Sequence, residues 1–131
     1  MITRFQKITI IKLREPKKAI NKELQWLSES LGLFSERDKE RSCFRVFLAI
    51  LEARRPVTSD ELAYKLELSR ATVIHHLHKL IAAGIVMVQD NTYALRAKNL
   101  ESTLKKMKAD VLSAYEEIEL VAREIDKKLN I

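Results

Sequence analysis

The last third of the chain carries the pattern that most restricts its fold. From Leu100 to the C-terminus there is no glycine or proline, and apolar residues recur at alternating spacings of four and three. This heptad pattern predicts one long helix whose apolar seam packs against another helix. We expect the same helix of a second copy to cover the seam in a homodimer; packing on the chain's own N-terminal helix is the alternative. The seam positions are Leu100, Leu104, Met107, Val111, Ala114, Ile118, Val121 and Ile125.

Residues that make turns are scarce in the whole chain. The 131 residues include 2 Gly and 2 Pro, whereas 47% are hydrophobic. This composition supplies a core but too few turns for a sandwich, a barrel or a large α/β sheet, so a mainly α fold is expected. No apolar run reaches the roughly 18 residues of a membrane span, and the N-terminus lacks the apolar core of a signal peptide. We therefore expect a cytoplasmic protein that contacts no membrane.

Positive charge is distributed unevenly along the chain. The net charge is +6, from 24 Lys and Arg against 18 Asp and Glu. Residues 1–34 carry +4, residues 35–96 carry +2, and residues 97–131 carry no net charge. A basic N-terminal two thirds suits a polyanion, and a neutral C-terminal third suits a protein partner. A solvated surface without either role is the alternative.

The first 34 residues predict a strand followed by a helix. Residues 5–13 are rich in β-branched side chains, which favours one short strand. A helix is expected from Pro16 to a C-terminal cap at Gly32. Its apolar stripe consists of Ile20, Leu24, Leu27 and Leu31. We treat residues 1–34 as an extension of the domain that follows.

Residues 35–96 begin with two predicted helices. Ser35 is the expected N-cap of the first, which Pro56 stops. Thr58 and Glu61 have the three-residue spacing of a capping box and open a short second helix.

A third helix and a hairpin complete this segment. Ser69 is the expected cap of the helix, and Gly84 ends it. Residues 85–88 and 92–95 flank the polar turn 89–91 and predict a β-hairpin. The buried stripe of the helix consists of Val73, Leu77, Leu80 and Ile81.

The residues of this segment carry more information than the order of its elements. The runs Glu61–Leu66, Leu68–Val73, His76–Leu80 and Ala83–Val86 resemble the helix-turn-helix of ArsR-type winged-helix transcription regulators and their archaeal relatives. The resemblance covers residues 36–96. It implies that the helix from Ser69 is the recognition helix, which lies in the DNA major groove, and that the hairpin is the wing.

Helix geometry independently gives the recognition helix an outward face. With the stripe toward the core, Thr72, His75, His78 and Lys79 point outward, where hydrogen-bonding side chains can reach base edges and a lysine can reach a phosphate. Arg70 lies in the first turn, where phosphate and the positive end of the helix meet. The DNA contacts are assigned to Ser69, Arg70, Thr72, His75, His76, His78, Lys79 and Arg96.

Two positions depart from the family pattern. Glu67 stands where relatives usually place glycine, which predicts a non-glycine residue in a left-handed conformation. The wing tip contains Asp90 and, within residues 89–92, no lysine or arginine. Arg96 and Lys98 are therefore the nearer candidates for phosphate contact.

The three histidines of the recognition helix invite a metal hypothesis that the rest of the sequence does not support. Only His75 and His78 share a face, and Cys43 is the single thiol, so a set of three or four ligands is lacking unless a dimer shares them. We expect no metal and no cofactor, and His76 has packing as its alternative role. Cys43 is expected to pack as a small apolar residue, with redox sensing as the alternative.

These observations favour a transcription regulator that binds double-stranded DNA as a homodimer. No phosphate-binding glycine loop and no nucleophile with a separated base occurs, so no enzymatic activity is expected. A two-fold dimer predicts a palindromic operator, and a repressor-like role is the expected outcome. The rival interpretation is a winged-helix adaptor that binds protein in a transcription or replication complex. Three parts follow: an extension (1–34), a DNA-binding domain (35–96) and a dimerisation helix (97–131).

Overall fold

The computed structural model describes residues 9–12, 19–33 and 41–131, and these form five helices and three short strands. The chain divides into two compact units, Met1–Arg96 and Ala97–Ile131. The predicted mainly α winged helix-turn-helix with a long C-terminal helix is confirmed. The helices are α1 (Ile20–Ser30), α2 (Ser42–Ala53), α3 (Ser59–Leu66), α4 (Arg70–Ala82) and α5 (Leu100–Leu129), and the strands are β1 (Val57–Thr58), β2 (Val86–Gln89) and β3 (Thr92–Leu95).

The N-terminal segment differs from its prediction. Residues 5–8 and 13 of the predicted strand lie outside the described residues, as does Pro16, and residues 9–12 form no strand. The amide of Ile11 instead donates to the carbonyl of Ser30 at 2.7 Å, so this segment follows the end of α1. A strand over these four residues is therefore wrong, because a β-rich run needs a sheet edge and this one bonds to a helix end. The predicted helix is confirmed, and Gly32 after it has the left-handed φ of +65°.

Helix α2 is shorter than predicted. It begins at Ser42, and Arg41 before it has a left-handed φ of 56°; the predicted cap Ser35 lies outside the described residues. The helix ends at Ala53, and Arg54 reverses the chain before Pro56 with φ 55°. Cys43 and Phe47 on its inner face are buried, which fits the packing role expected for the thiol.

The helix-turn-helix unit, which consists of α2, α3, α4 and the three strands, is built around one apolar core. Residues of α2, α3 and α4 pack together, and the strands close the unit beside them. Burial of these side chains is the main stabilising contribution to the unit. The most completely buried side chains here are Val46, Phe47, Leu62, Val73, Leu77, Leu80 and Ile85.

The hairpin is part of a three-stranded antiparallel sheet with the order β1-β3-β2. Val57 of β1 and Val88 of β2 both pair with Tyr93 of the central strand. Asp90 and Asn91 join β2 to β3 with φ values of 50° and 64°, the two positive values that a type I′ turn requires. The predicted hairpin is confirmed, whereas the sequence analysis did not predict β1.

The turn between α3 and α4 contains the left-handed residue that its sequence predicts. Glu67 ends α3 with φ 55° and ψ 43°. The next amide, that of Leu68, donates to the carbonyl of Ala63 at 3.0 Å, which satisfies an end carbonyl of α3. Glycine adopts this conformation without the steric cost that a Cβ atom imposes.

Replacing Glu67 by glycine is expected to raise the free energy of unfolding by about 0.5–1 kcal/mol. Relief of the left-handed strain outweighs the entropy that glycine adds to the unfolded chain. Urea denaturation measures the change. Lys65→Gly, within α3, serves as the control and is expected to lower stability by about 1 kcal/mol. A Glu67→Gly protein no more stable than the parent would show that the turn is unstrained.

Helix α5 forms the second unit as one uninterrupted helix. Asn99 caps it, since its Oδ1 accepts from the amide of Ser102 at 2.8 Å. Thr103 Oγ1 donates to the carbonyl of Asn99 and accepts from the amide of Ala97, which orders the first turn. No helix among the described residues is long and apolar enough to cross a membrane.

Exposure changes along the predicted seam of α5. Met107 is 4% exposed, whereas Ile118 and Val121 are about 60% exposed. Leu100, Leu104, Val111 and Ala114 lie between these extremes. Met107 therefore has little surface left to bury against a second chain, and its role as a dimer contact stays a prediction. The free part of the seam is its C-terminal half.

Candidate nucleic-acid interface

Helix α4 is held rigidly by its inner face. Val73, Leu77 and Leu80 are fully buried, as the stripe predicted. The helix begins after Ser69, whose Oγ accepts from the amide of Thr72 at 3.1 Å. Gly84 follows the helix with φ +82° and turns the chain toward β2. Because its inner face is buried and both of its ends are held, α4 keeps its outward face in one position.

The opposite face of α4 carries polar side chains. His75 and His78 on this face are exposed, and Thr72 and Lys79 are half-buried, while Arg70 is exposed in the first turn of the helix. Ile74 is half-buried at the flank of this face. Imidazole, hydroxyl and ammonium groups all form hydrogen bonds of the kind that base edges and phosphates accept or donate. Their roles in DNA binding stay predictions.

Ser69, a predicted DNA contact, also stabilises the start of α4. Its Oγ caps α4 and also lies 2.8 Å from Thr72 Oγ1. The two hydroxyls thus form one hydrogen-bonded pair at the start of the helix. This pair holds the Thr72 hydroxyl in a defined position, which suits a side chain that reads a base.

His76, a predicted DNA contact, is nearly buried, and its role in DNA binding stays a prediction. It is 8% exposed and lies on the buried side of α4, next to the direction of Leu80. Its ring meets that of His75 edge-on, with centroids 5.3 Å apart. A side chain on the core side points away from a duplex lying against the opposite face. Its spacing of three from Val73 is the signal that indicates this placement.

Arg70 is accompanied by an acid that the sequence analysis did not single out. Its Nε lies 3.5 Å from Asp60 Oδ1, in the first turn of α3, and both side chains are largely exposed. An exposed pair of this kind adds little stability, on the order of 0–1 kcal/mol. The pair does place the Asp60 carboxylate beside Arg70, a predicted phosphate contact. This carboxylate compensates part of the positive charge of Arg70.

Arg96 is also less available than its sequence position suggests. The side chain is half-buried, and Nη1 donates to the carbonyl of Gly84 at 3.4 Å. Its amide donates to the carbonyl of Ile85 at 3.1 Å. Arg96 thus joins the end of β3 to the turn after α4, which holds the wing against the helix. Its predicted phosphate contact would require the guanidinium to leave this position.

Glu61, a second acid at the start of α3, forms an ion pair with Arg55. Glu61 Oε2 lies 2.9 Å from Arg55 Nη2. The hydrogen bond from Arg55, with its charge and with hydrogen bonds from Thr58, holds the pKa of the Glu61 carboxyl below its usual value. The Thr58 hydroxyl accepts from the Glu61 amide at 3.1 Å, which confirms the predicted cap. Arg55 thus has a carboxylate beside it at the surface.

The structure offers no metal site among the residues it describes. No group of three His, Cys, Asp or Glu side chains in residues 9–12, 19–33 and 41–131 could hold an ion. His75 and His78 share the exposed side of α4 without a third ligand from the described part of the chain.

Comparison with known proteins identifies the central segment. Residues 40–89 match the family model described as a helix-turn-helix domain. The crystal structure of the ST1889 protein from the thermoacidophilic archaeon Sulfolobus tokodaii is similar, with 31% sequence identity. That similarity covers 69% of this chain and 97% of the archaeal chain, with a TM-score of 0.45. A search of curated proteins gave no match.

Proposed function

Because this chain belongs to the helix-turn-helix family, we propose that it is an ArsR-like transcription regulator that binds double-stranded DNA in a sequence-specific manner. One observation carries this proposal: α4 is capped and buried on one face and bears hydrogen-bonding side chains on the other. The hairpin of β2 and β3 follows it in the position of a wing. A protein helix of this kind fits the major groove of B-DNA.

Two kinds of contact are assigned to α4. Thr72 and His75 read base edges, since they lie near the middle of the outward face. Arg70 and Lys79 hold phosphates and fix the register of the helix on the duplex. His78 flanks this set on the exposed side and adds a further polar contact.

The protein acts as a homodimer through α5. The apolar side chains that remain exposed along its C-terminal half include Tyr115, Ile118, Val121, Ile125 and Leu129. A row of this length on one chain is typical of an interface, because monomeric proteins rarely expose so large a contiguous apolar surface. The seam pattern matches that of a helix paired with its own copy.

Charge along the edges of the seam favours parallel pairing. Asp110, Glu117 and Glu124 each precede a core position of the heptad and form one acidic edge. Antiparallel pairing would place this edge against itself, whereas parallel pairing places it against the edge with Tyr115 and Leu129. Parallel α5 helices also bring their two N-terminal ends together, and each of these ends follows the wing of its own chain in sequence.

The operator is then expected to be palindromic. A two-fold dimer reads two half-sites of opposite direction, spaced by one helical turn of about 34–36 Å. Occupation of such a site near a promoter would exclude the transcription machinery, which gives a repressor. Function requires no cofactor in this scheme.

A protein adaptor is the second candidate, and one side chain favours it. Tyr64 on α3 is 90% exposed, and exposed aromatic side chains are common at protein interfaces. The outward face of α4, however, carries no exposed Leu, Phe or Trp of the kind that anchors a protein partner. DNA binding remains the better proposal.

Replacing Arg70 or Lys79 by alanine is expected to weaken binding to every duplex by a similar factor. Removal of one phosphate-binding cation reduces the slope of log affinity against log salt by about 0.9 for each subunit, since fewer counterions are released. Titrations of a candidate operator and a scrambled duplex at three salt concentrations measure both quantities. Lys127→Ala, at the far end of α5, is the control and should leave the slope unchanged. A wild-type protein that binds neither duplex would overturn the proposed function.

A further inference from the structure

Helix α5 and the residues before it are neutral overall but strongly divided in charge. Residues 97–109 contain four lysines and one acid, whereas residues 110–131 contain six acids and three bases. The C-terminal part carries the acidic edge and the exposed apolar seam described above. The basic part has neither feature, so pairing of the seam does not account for it.

The lysines of the basic part lie on one side of the helix. Lys105, Lys106 and Lys108 span an arc of about 160°, and the centre of this arc is opposite the buried Thr103 and Met107. All three are exposed, as is Lys98 just before the helix. Lys105 pairs with Glu101 at 3.1 Å, and no ion pair joins the other three to any described residue. We call these four residues the lysine face.

Several of the cations that the structure describes in the helix-turn-helix unit have an acid beside them. Arg55, Lys65 and Arg70 each lie within 4.0 Å of a carboxylate. Arg96 donates to a backbone carbonyl, and residues 89–92 of the wing contain an acid and no base. Duplex binding by proteins of this size commonly rests on several phosphate contacts, on the order of six to ten in strong cases. Arg70 and Lys79, the two α4 cations assigned above to phosphates, fall short of that number.

We propose that the lysine face is a second phosphate-binding surface, which contacts the backbone of duplex DNA. The inference rests on the proposed function. The lysines of this face lie close together along the chain, and Lys98 precedes the first residue of α5 by two positions. Lys105 and Lys108 follow the start of the helix by about 8 and 12 Å along its axis.

The lysine face supplies affinity and not sequence preference. An ammonium group on a flexible stem meets a phosphate as a point charge and does not distinguish bases. The homodimer carries two lysine faces, so removing these lysines removes twice as many phosphate contacts from the dimer as from one subunit. Residues 97–131 have no net charge because the acids of residues 110–131 balance the lysines of residues 97–109. The net charge alone therefore does not reveal the lysine face.

The test compares two triple variants of the full-length protein. Lys105→Gln, Lys106→Gln and Lys108→Gln together remove the basic face, and glutamine keeps a similar helix propensity. Arg123→Gln, Lys127→Gln and Lys128→Gln remove three positive charges from the acidic end of the same helix and serve as the matched control. Circular dichroism and sedimentation verify that both variants keep their helix content and their oligomeric state. Binding to operator and scrambled duplexes is titrated between about 50 and 200 mM salt.

The lysine-face variant is expected to bind both duplexes at least ~10-fold more weakly at about 0.1 M salt, with the salt slope reduced by about two to three units per subunit. The control variant keeps the wild-type slope. A lysine-face variant with the wild-type slope, or a control with an equal loss, would overturn this inference and leave the proposed function intact. A wild-type protein that binds no duplex would overturn both.

Discussion

The Ile118→Lys protein is expected to be a folded monomer that has lost its operator affinity. Ile118 is 63% exposed in a single chain and lies in the middle of the free seam. A lysine there costs a single chain little, but in the dimer it buries an unpaired charge at each of two symmetric positions. A combined cost of roughly 5 kcal/mol weakens association more than ~10³-fold.

Sedimentation at micromolar concentration distinguishes the species. Leu120→Lys is the matched control, since Leu120 is also an exposed apolar residue of α5 but lies outside the seam. It should leave the dimer intact. An unchanged dimer in the Ile118→Lys protein, or a wild-type monomer, would show that the seam does not pair with its own copy.

Replacing Thr72 or His75 by alanine is expected to remove sequence preference without removing DNA binding. Each substitution should cost about 1–3 kcal/mol on the preferred operator and relax the preference at one or two base pairs. Binding to a scrambled duplex should stay within about twofold, because phosphates supply non-specific affinity. Loss of the Thr72 hydroxyl leaves Ser69 to cap α4 through the amide alone, so the helix itself persists.

The same titrations separate the two candidate functions. Arg70→Ala weakens both duplexes and provides the contrast within the same helix. Equal losses on operator and scrambled DNA in the Thr72 and His75 variants would mean that these side chains read no bases. Variants that bind DNA normally but lose a protein partner would favour the adaptor.

Local signals account for the parts of the fold that could be predicted. Thr58 and Ser69 cap helices through hydrogen bonds within three residues, and the hairpin turn at Asp90 and Asn91 depends on its own backbone angles. The left-handed Glu67 was predicted from the family resemblance, because relatives usually place glycine at this position. Such features depend on neighbours in the sequence and not on the packing of distant elements.

Features that depend on distant contacts were missed or misplaced. Strand β1 has two residues and exists through its pairing with β3, about 35 positions away. The pair of Asp60 and Arg70 joins two helices, and its distance depends on how α3 and α4 pack. The start of α2 at Ser42 follows a left-handed Arg41, for which no local signal in the sequence stands out. Helical spacing alone, in contrast, could have placed His76 on the buried side.

Selection of bound duplexes from a random library tests the central proposal most directly, because one result reports DNA binding, symmetry and half-site spacing together. We expect the wild-type protein to enrich a palindrome whose half-sites lie about 10 base pairs apart. The Ile118→Lys protein should enrich no palindrome under the same conditions. A wild-type selection that enriches no sequence, or only one without two-fold symmetry, would contradict a homodimeric regulator that reads DNA through α4.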